Sequence, residues 1–172
     1  MLMGAEMAYT AKDYEKALHI YKQLKDKAAS MERRQLAKTG MLRSAHMLGN
    51  EEEIIFTATD LLADTKLAPE LSNEAHYYRA KAYLDAGKTD GAMEDLKILA
   101  KDTRNVYGAE AKYKVAQIYF DGGQTDKAEQ EVLNYIEVST PHTYWLARSF
   151  VLLADVYMKL GRNLDANNIC FH

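Results

Sequence analysis

Five histidines, at positions 19, 46, 76, 142 and 172, and a single cysteine, Cys170, are the residues of this chain best suited to bind a metal or attack an electrophile. Their spacing supports neither chemistry. No two form the His-Glu-x-x-His arrangement that puts a pair of imidazoles on one helical face, and no Cys/His set has the spacing of a zinc site. Cys170 and His172 offer two ligands without a fixed geometry, and beyond His172 no local base would activate the thiol. Gly122-Gly123 lacks the Lys-Ser/Thr of a phosphate loop, and no nucleophile elbow is present. Glu51-Glu52-Glu53 reads as the start of a helix, where the macrodipole favours negative charge, in place of a set of catalytic carboxylates. The expectation is a protein that is not an enzyme, with no catalytic residues, no metal site and no cofactor.

The chain has 172 residues, 48% of them hydrophobic and 27% charged, with 2 Pro and 9 Gly. That composition folds around one sizeable core and excludes disordered and low-complexity classes. The formal charge of −3 gives no global attraction to nucleic acid or an anionic membrane, and the lone cysteine rules out an internal disulfide framework. No apolar run approaches the roughly 18 residues needed to span a bilayer, so direct membrane insertion is not expected. Charge is uneven, however. Residues 12–43 carry nine basic and four acidic side chains, whereas residues 51–74 carry seven acidic and one basic. Lys22, Lys25, Lys27, Arg33 and Arg34 read first as a solvated face; weak nucleic-acid binding through 12–43 is the alternative, although no aromatics interleave the cluster.

The elements that organise these residues are repeated. Gly49, Gly87, Gly123 and Gly161 recur at intervals of 38, 36 and 38 residues, and twelve residues separate Ala5 from Ala17, Ala80 from Ala92, Ala116 from Ala128 and Ala154 from Ala166. Leu42 and Ile54 stand in those places in the second unit, and Tyr83, Tyr119 and Tyr157 add a third feature in register. Within each unit the apolar residues follow helical spacing, as in Tyr113, Ala116, Tyr119 and Phe120, then Ala128, Val132, Leu133 and Ile136. Each unit is thus two helices joined at a glycine that tolerates positive φ. Small alanines let the paired backbones approach, and Leu42 with Ile54 should hold the second pair farther apart. Thr140 before Pro141 has the form of an N-cap, and Ser72 suits the same role.

This pattern resembles the tetratricopeptide repeat, most clearly in Gly-Ala-Glu-Ala-Lys-Tyr-Lys-Val-Ala-Gln-Ile-Tyr-Phe-Asp-Gly-Gly-Gln-Thr-Asp-Lys-Ala-Glu at residues 108–129. The spacing exceeds the family's usual period of about 34, Lys12 replaces the first turn glycine, and the second unit lacks both alanines. The resemblance implies an all-α, right-handed α-solenoid of stacked antiparallel helix pairs, with about five repeats and the last truncated. A single solenoid domain then divides into units at approximately 1–29, 30–68, 69–104, 105–139 and 140–172. Tyr107-Gly108-Ala109-Glu110-Ala111 also looks like the tetratricopeptide proteins of bacterial envelopes, which implies a periplasmic or envelope location, with a cytoplasmic one as the alternative. Met1 precedes a helix without a capping residue, and Asn168-Ile169-Cys170-Phe171-His172 stop inside another, the pattern of a piece of a longer chain.

In such a solenoid the first helix of each pair lines a concave groove. By resemblance the lining falls on Tyr9, Thr39, Arg43, His46, Tyr77, Lys81, Leu84, Tyr113, Gln117, Phe120, Val151, Asp155 and Met158. Aromatics mixed with polar groups suit an extended peptide or partner helix, although each Tyr could equally serve packing between helices. Thr39 with Arg43, Tyr77 with Lys81 and Tyr113 with Gln117 depart from the Lys/Asn clamp used for chaperone tails. The expectation is a non-catalytic protein-interaction scaffold. A structural spacer or self-association module is the alternative, because uncapped ends, with Phe150, Leu153 and Ile169 at one of them, would favour a homodimer.

Overall fold

A computed structural model describes residues 1–138 and 140–161. Among them are nine α-helices: α1 (Leu2–Thr10), α2 (Tyr14–Lys27), α3 (Met31–Leu48), α4 (Glu51–Leu62), α5 (Pro69–Asp85), α6 (Thr89–Leu99), α7 (Val106–Asp121), α8 (Thr125–Glu137) and α9 (Thr143–Lys159). No strand occurs among the described residues. The fold is the expected all-α, tetratricopeptide-like solenoid of helix pairs. Its contacts group into two compact units, Met1–Ala92 and Met93–His172.

The turns inside the pairs have one construction. Gly49, Gly87, Gly123 and Gly161 have φ of 66°, 73°, 77° and 77°. In the turns around the first three, an amide reaches back across the bend, from Asn50 to the Ala45 carbonyl (3.1 Å), Lys88 to Tyr83 (2.7 Å) and Gln124 to Tyr119 (2.8 Å). This is the wide closure of a Schellman motif, which needs a left-handed residue at its centre. Lys12 takes that place in the first pair at φ 63°, and the Asp13 amide closes on the Ala8 carbonyl at 2.8 Å. Helix starts are capped locally by Asp13, Ser30, Asn50 and Asn105, whose side chains accept from the amides of Lys16, Arg33, Glu53 and Tyr107.

The expected small residues lie inside. Ala5, Ala17, Ala80, Ala92, Ala116 and Ala128 are buried, and so are Leu42, Ile54 and Ala154; Ala166 lies outside the described residues. In the first unit Ala5, Ala8, Ala17, Tyr21 and Met41 form one cluster, while Leu42, Ala45, Ile54, Ala58 and Leu61 form another. The second unit packs Tyr113, Ala116, Ala128, Val132, Leu152 and Leu153 together. Gly40 on α3 faces the Tyr21 ring so closely that a β-carbon would collide with it.

Three expectations are corrected. Thr140 does not cap a helix: α9 begins at Thr143, and the Thr140 hydroxyl instead donates to the Thr103 carbonyl (2.7 Å) and accepts from the His142 amide (3.1 Å). A threonine committed to a neighbouring loop leaves Pro141 in the connection. Ser72 is already inside α5, whose first residue is Pro69, and its amide bonds the Ala68 carbonyl. Proline at the first helical position moves the start of the helix forward. Leu153 is buried in the second unit's core and so is no part of an exposed apolar end, whereas Phe150 is 36% exposed. Asn168, Ile169, Cys170, Phe171 and His172 lie outside the described residues.

Candidate functional site: the outward faces of the first helices

The first unit brings several expected lining residues onto α1, α3 and α5. Tyr9 near the end of α1 and Arg43 on α3 border a hollow of about 400 Å³, with Glu6, Tyr21, Thr39 and Gly40 completing its wall. Thr39 is buried and turns its hydroxyl to the Gln35 carbonyl at 2.8 Å, so it shapes the wall without presenting a donor. Arg43 donates from Nε and Nη2 to the two carboxylate oxygens of Glu74 on α5, at 2.7 and 2.9 Å. This fork raises the arginine's affinity for its proton further, the Glu74 hydrogen bond being the main cause. Glu74 was not among the expected residues; only tertiary folding across 31 positions brings it to Arg43.

One turn along, the His46 ring stacks on Tyr78 with centroids 4.2 Å apart. Burial lowers the imidazole pKa below its ordinary 6.5, and the nearby Lys81 charge lowers it further, against weaker opposition from Asp85 and Glu74. Tyr77 lies beside Tyr78, ring centroids 5.8 Å apart, and the Lys81 ammonium sits 4.7 Å from the Tyr77 ring centre. Leu84 is half-buried at the end of the same helix. Tyr9, Arg43, His46, Tyr77 and Lys81 are each at least partly exposed, and their geometry is set by stacking and ion pairing.

The expected residues of the second unit behave differently. Tyr113 is 7% exposed and belongs to the core. Its hydroxyl donates to Gln117, and Gln117 in turn donates to Asp121. Phe120 is partly buried, with the Lys159 ammonium 5.2 Å from its ring centre. Val151, Asp155 and Met158 project from α9 into solvent. The residue that organises this region, Arg148, escaped the sequence reading. It donates to the hydroxyls of Tyr113 and Tyr144 at 3.2 Å each, and its guanidinium lies 4.9 Å from the Tyr113 ring centre. A second hollow, about 440 Å³, opens among Lys97, Lys101, Arg104, Lys112 and Glu131. Two of its cations are already matched, Lys112 with Glu131 at 2.6 Å and Arg104 with Asp102 at 3.1 Å.

Among the described residues no three His, Cys, Asp or Glu side chains could together hold a metal ion, and no helix is long and apolar enough to cross a membrane. In the basic stretch, Lys22 pairs with Glu53 (3.1 Å), Lys25 with Asp26 (3.9 Å), Lys38 with Asp60 and Asp64 (3.3 and 3.2 Å), and Arg43 with Glu74. Much of its charge is therefore compensated.

Comparison with known proteins agrees with the fold. Residues 74–102, which contain Tyr77 and Lys81, match the family model of the tetratricopeptide repeat. Two crystal structures of MamA superpose with TM-scores of 0.72 and 0.73 at 17% and 19% identity; the alignments cover 98% and 96% of this chain and 85% and 89% of those chains. A structure described as a Podosopora anserina kinesin light chain with nearly identical TPR-like repeats aligns at TM-score 0.65 and 18% identity, over 96% of this chain and 88% of that one. No curated protein sequence matches significantly.

Proposed function

We propose that this chain, which carries a tetratricopeptide repeat at 74–102 and the tetratricopeptide-like fold in its described helices, is a non-catalytic scaffold that binds an extended peptide segment of a protein partner. The observation that carries the reading is the set Tyr9, Arg43, His46, Tyr77 and Lys81 on α1, α3 and α5, of which Tyr9 and Arg43 line a hollow of about 400 Å³. These side chains are held in place before any partner arrives, by the Arg43–Glu74 fork, the His46–Tyr78 stack and the Lys81–Tyr77 contact. Pre-ordered aromatic and cationic groups lose little freedom on binding, which removes the receptor's share of the ordering cost and leaves that of the segment itself. With Arg43 neutralised by Glu74, recognition rests on aromatic area and Lys81 more than on net charge.

Peptides selected on the wild-type protein from a random library test the reading. Tyr77→Ala and Lys81→Ala should each weaken the selected peptides, by roughly tenfold or more for the tyrosine as expected of a hot-spot aromatic, with unchanged circular dichroism. Equal affinity for wild type and both variants would remove this face from the account.

A further inference from the structure

The outward face of α9 carries a pattern that peptide binding in the first unit leaves unused. Tyr144, Arg148, Val151, Asp155 and Met158 follow the alternating four- and three-residue steps of a seam between two helices. All five are exposed, Tyr144 at 61%, Val151 at 64% and Met158 at 62%, while Ser149, Leu152, Leu153 and Val156 fill the opposite, buried face. The neighbouring Ala147 is small enough to admit another helix. Among the described residues the two charges of the stripe have no ion pair: Arg148 is steadied by neutral tyrosine hydroxyls, and Asp155 has no salt-bridge partner.

The order of residues along the stripe is complementary about its middle. Val151 lies at its middle, Arg148 and Asp155 flank it at nearly equal distance, and Tyr144 and Met158 stand at its ends. We propose that α9 joins two copies of this chain as an antiparallel, two-fold pair centred on Val151. In that pairing Arg148 meets Asp155 of the partner subunit, Tyr144 meets Met158 of the partner subunit, and symmetry repeats both contacts. A thioether against an aromatic ring and an arginine against a carboxylate are both favourable. A parallel pair would set arginine against arginine, so the stripe also selects the direction. One helix of 17 residues, about 25 Å long by its rise, buries less than a typical permanent interface. The association is accordingly weak, with a dissociation constant on the order of micromolar.

Sedimentation of the intact chain across about 1 to 500 μM, bracketing that range, should show monomer passing to dimer. Arg148→Glu places two acids together and should move the midpoint at least about tenfold higher, as should Asp155→Arg. Arg148→Glu combined with Asp155→Arg should restore it. In a Cys170→Ser background, Val151→Cys should oxidise to a covalent dimer, whereas Glu137→Cys on α8 should not. Asp155→Arg and Val151→Cys lie at exposed positions away from the core, whereas Arg148→Glu also gives up the bonds to the Tyr113 and Tyr144 hydroxyls. Circular dichroism and a thermal melt therefore accompany each variant, and Asp155→Arg alone carries the charge test if Arg148→Glu loosens the fold. A monomer at every concentration, a dimer indifferent to Arg148→Glu, or failure of the charge swap to rescue would overturn the proposal. Peptide affinity, read through Tyr77, stands or falls separately.

Discussion

His46 shows how one side chain reports on its surroundings. Stacked on Tyr78 and partly withdrawn from water, with Lys81 nearby, it resists protonation in the folded protein more than in the unfolded chain. As pH falls through the ordinary imidazole value of 6.5, the unfolded chain takes up its proton first. The stability that the neutral ring contributes is complete above that pH and is lost as pH drops through 6.5 toward the lower folded value. Melting temperatures measured between about pH 7.5 and 5 should therefore fall in this window. His46→Gln should flatten the part of the decline that lies near 6.5, leaving the carboxylate-dependent part at lower pH. Tyr113 gives the opposite lesson: the family resemblance put it on the groove lining with packing between helices as an equal alternative, and its ring is packed, with its hydroxyl spent on Gln117 and Arg148. Spacing identifies the face of a helix; it does not say how far the neighbouring helix covers that face.

At the scale of helices, three glycines should respond differently to the same added methyl group. Gly4 on α1 has open space around it, so Gly4→Ala should stabilise by about 0.5–1 kcal/mol through helix propensity. Gly40→Ala drives a β-carbon into the Tyr21 ring, which can shift, and should destabilise by about 1–2 kcal/mol. Gly108→Ala should cost about 3 kcal/mol or more, because its methyl would stand 2.6 Å from the Leu99 carbonyl oxygen, with the Asp102 backbone also in the way. Thermal melts of the three variants would check the order; equal effects would contradict the packing described for α1, α3 and α7. Helix pairs, turn glycines and buried alanines were legible because they repeat, and repetition averages over local exceptions. Gly40 and Gly108 occur once each, and their close approaches depend on elements that sequence alone cannot superimpose. The Thr140 error has the same origin: a threonine before proline looks like a cap until a carbonyl 37 residues away claims its hydroxyl.

For the whole molecule, the net charge of −3 and the pairing of Lys22, Lys38 and Arg43 with carboxylates predict weak retention on heparin, with elution at low salt. Salt-sensitive, tight retention would bring the nucleic-acid reading back. The class of the molecule was readable from its period, while Arg148, Glu74 and Tyr78 were not, since each gains its role from a residue on another helix. Lys12 carries one more consequence. It adopts the left-handed bend that glycine occupies elsewhere, and the bend still closes through the same amide-to-carbonyl bridge. Glycine eases that bend without dictating it, so a signature written around the glycine would pass over the first helical hairpin of this chain and undercount such hairpins wherever a lysine tolerates the strain.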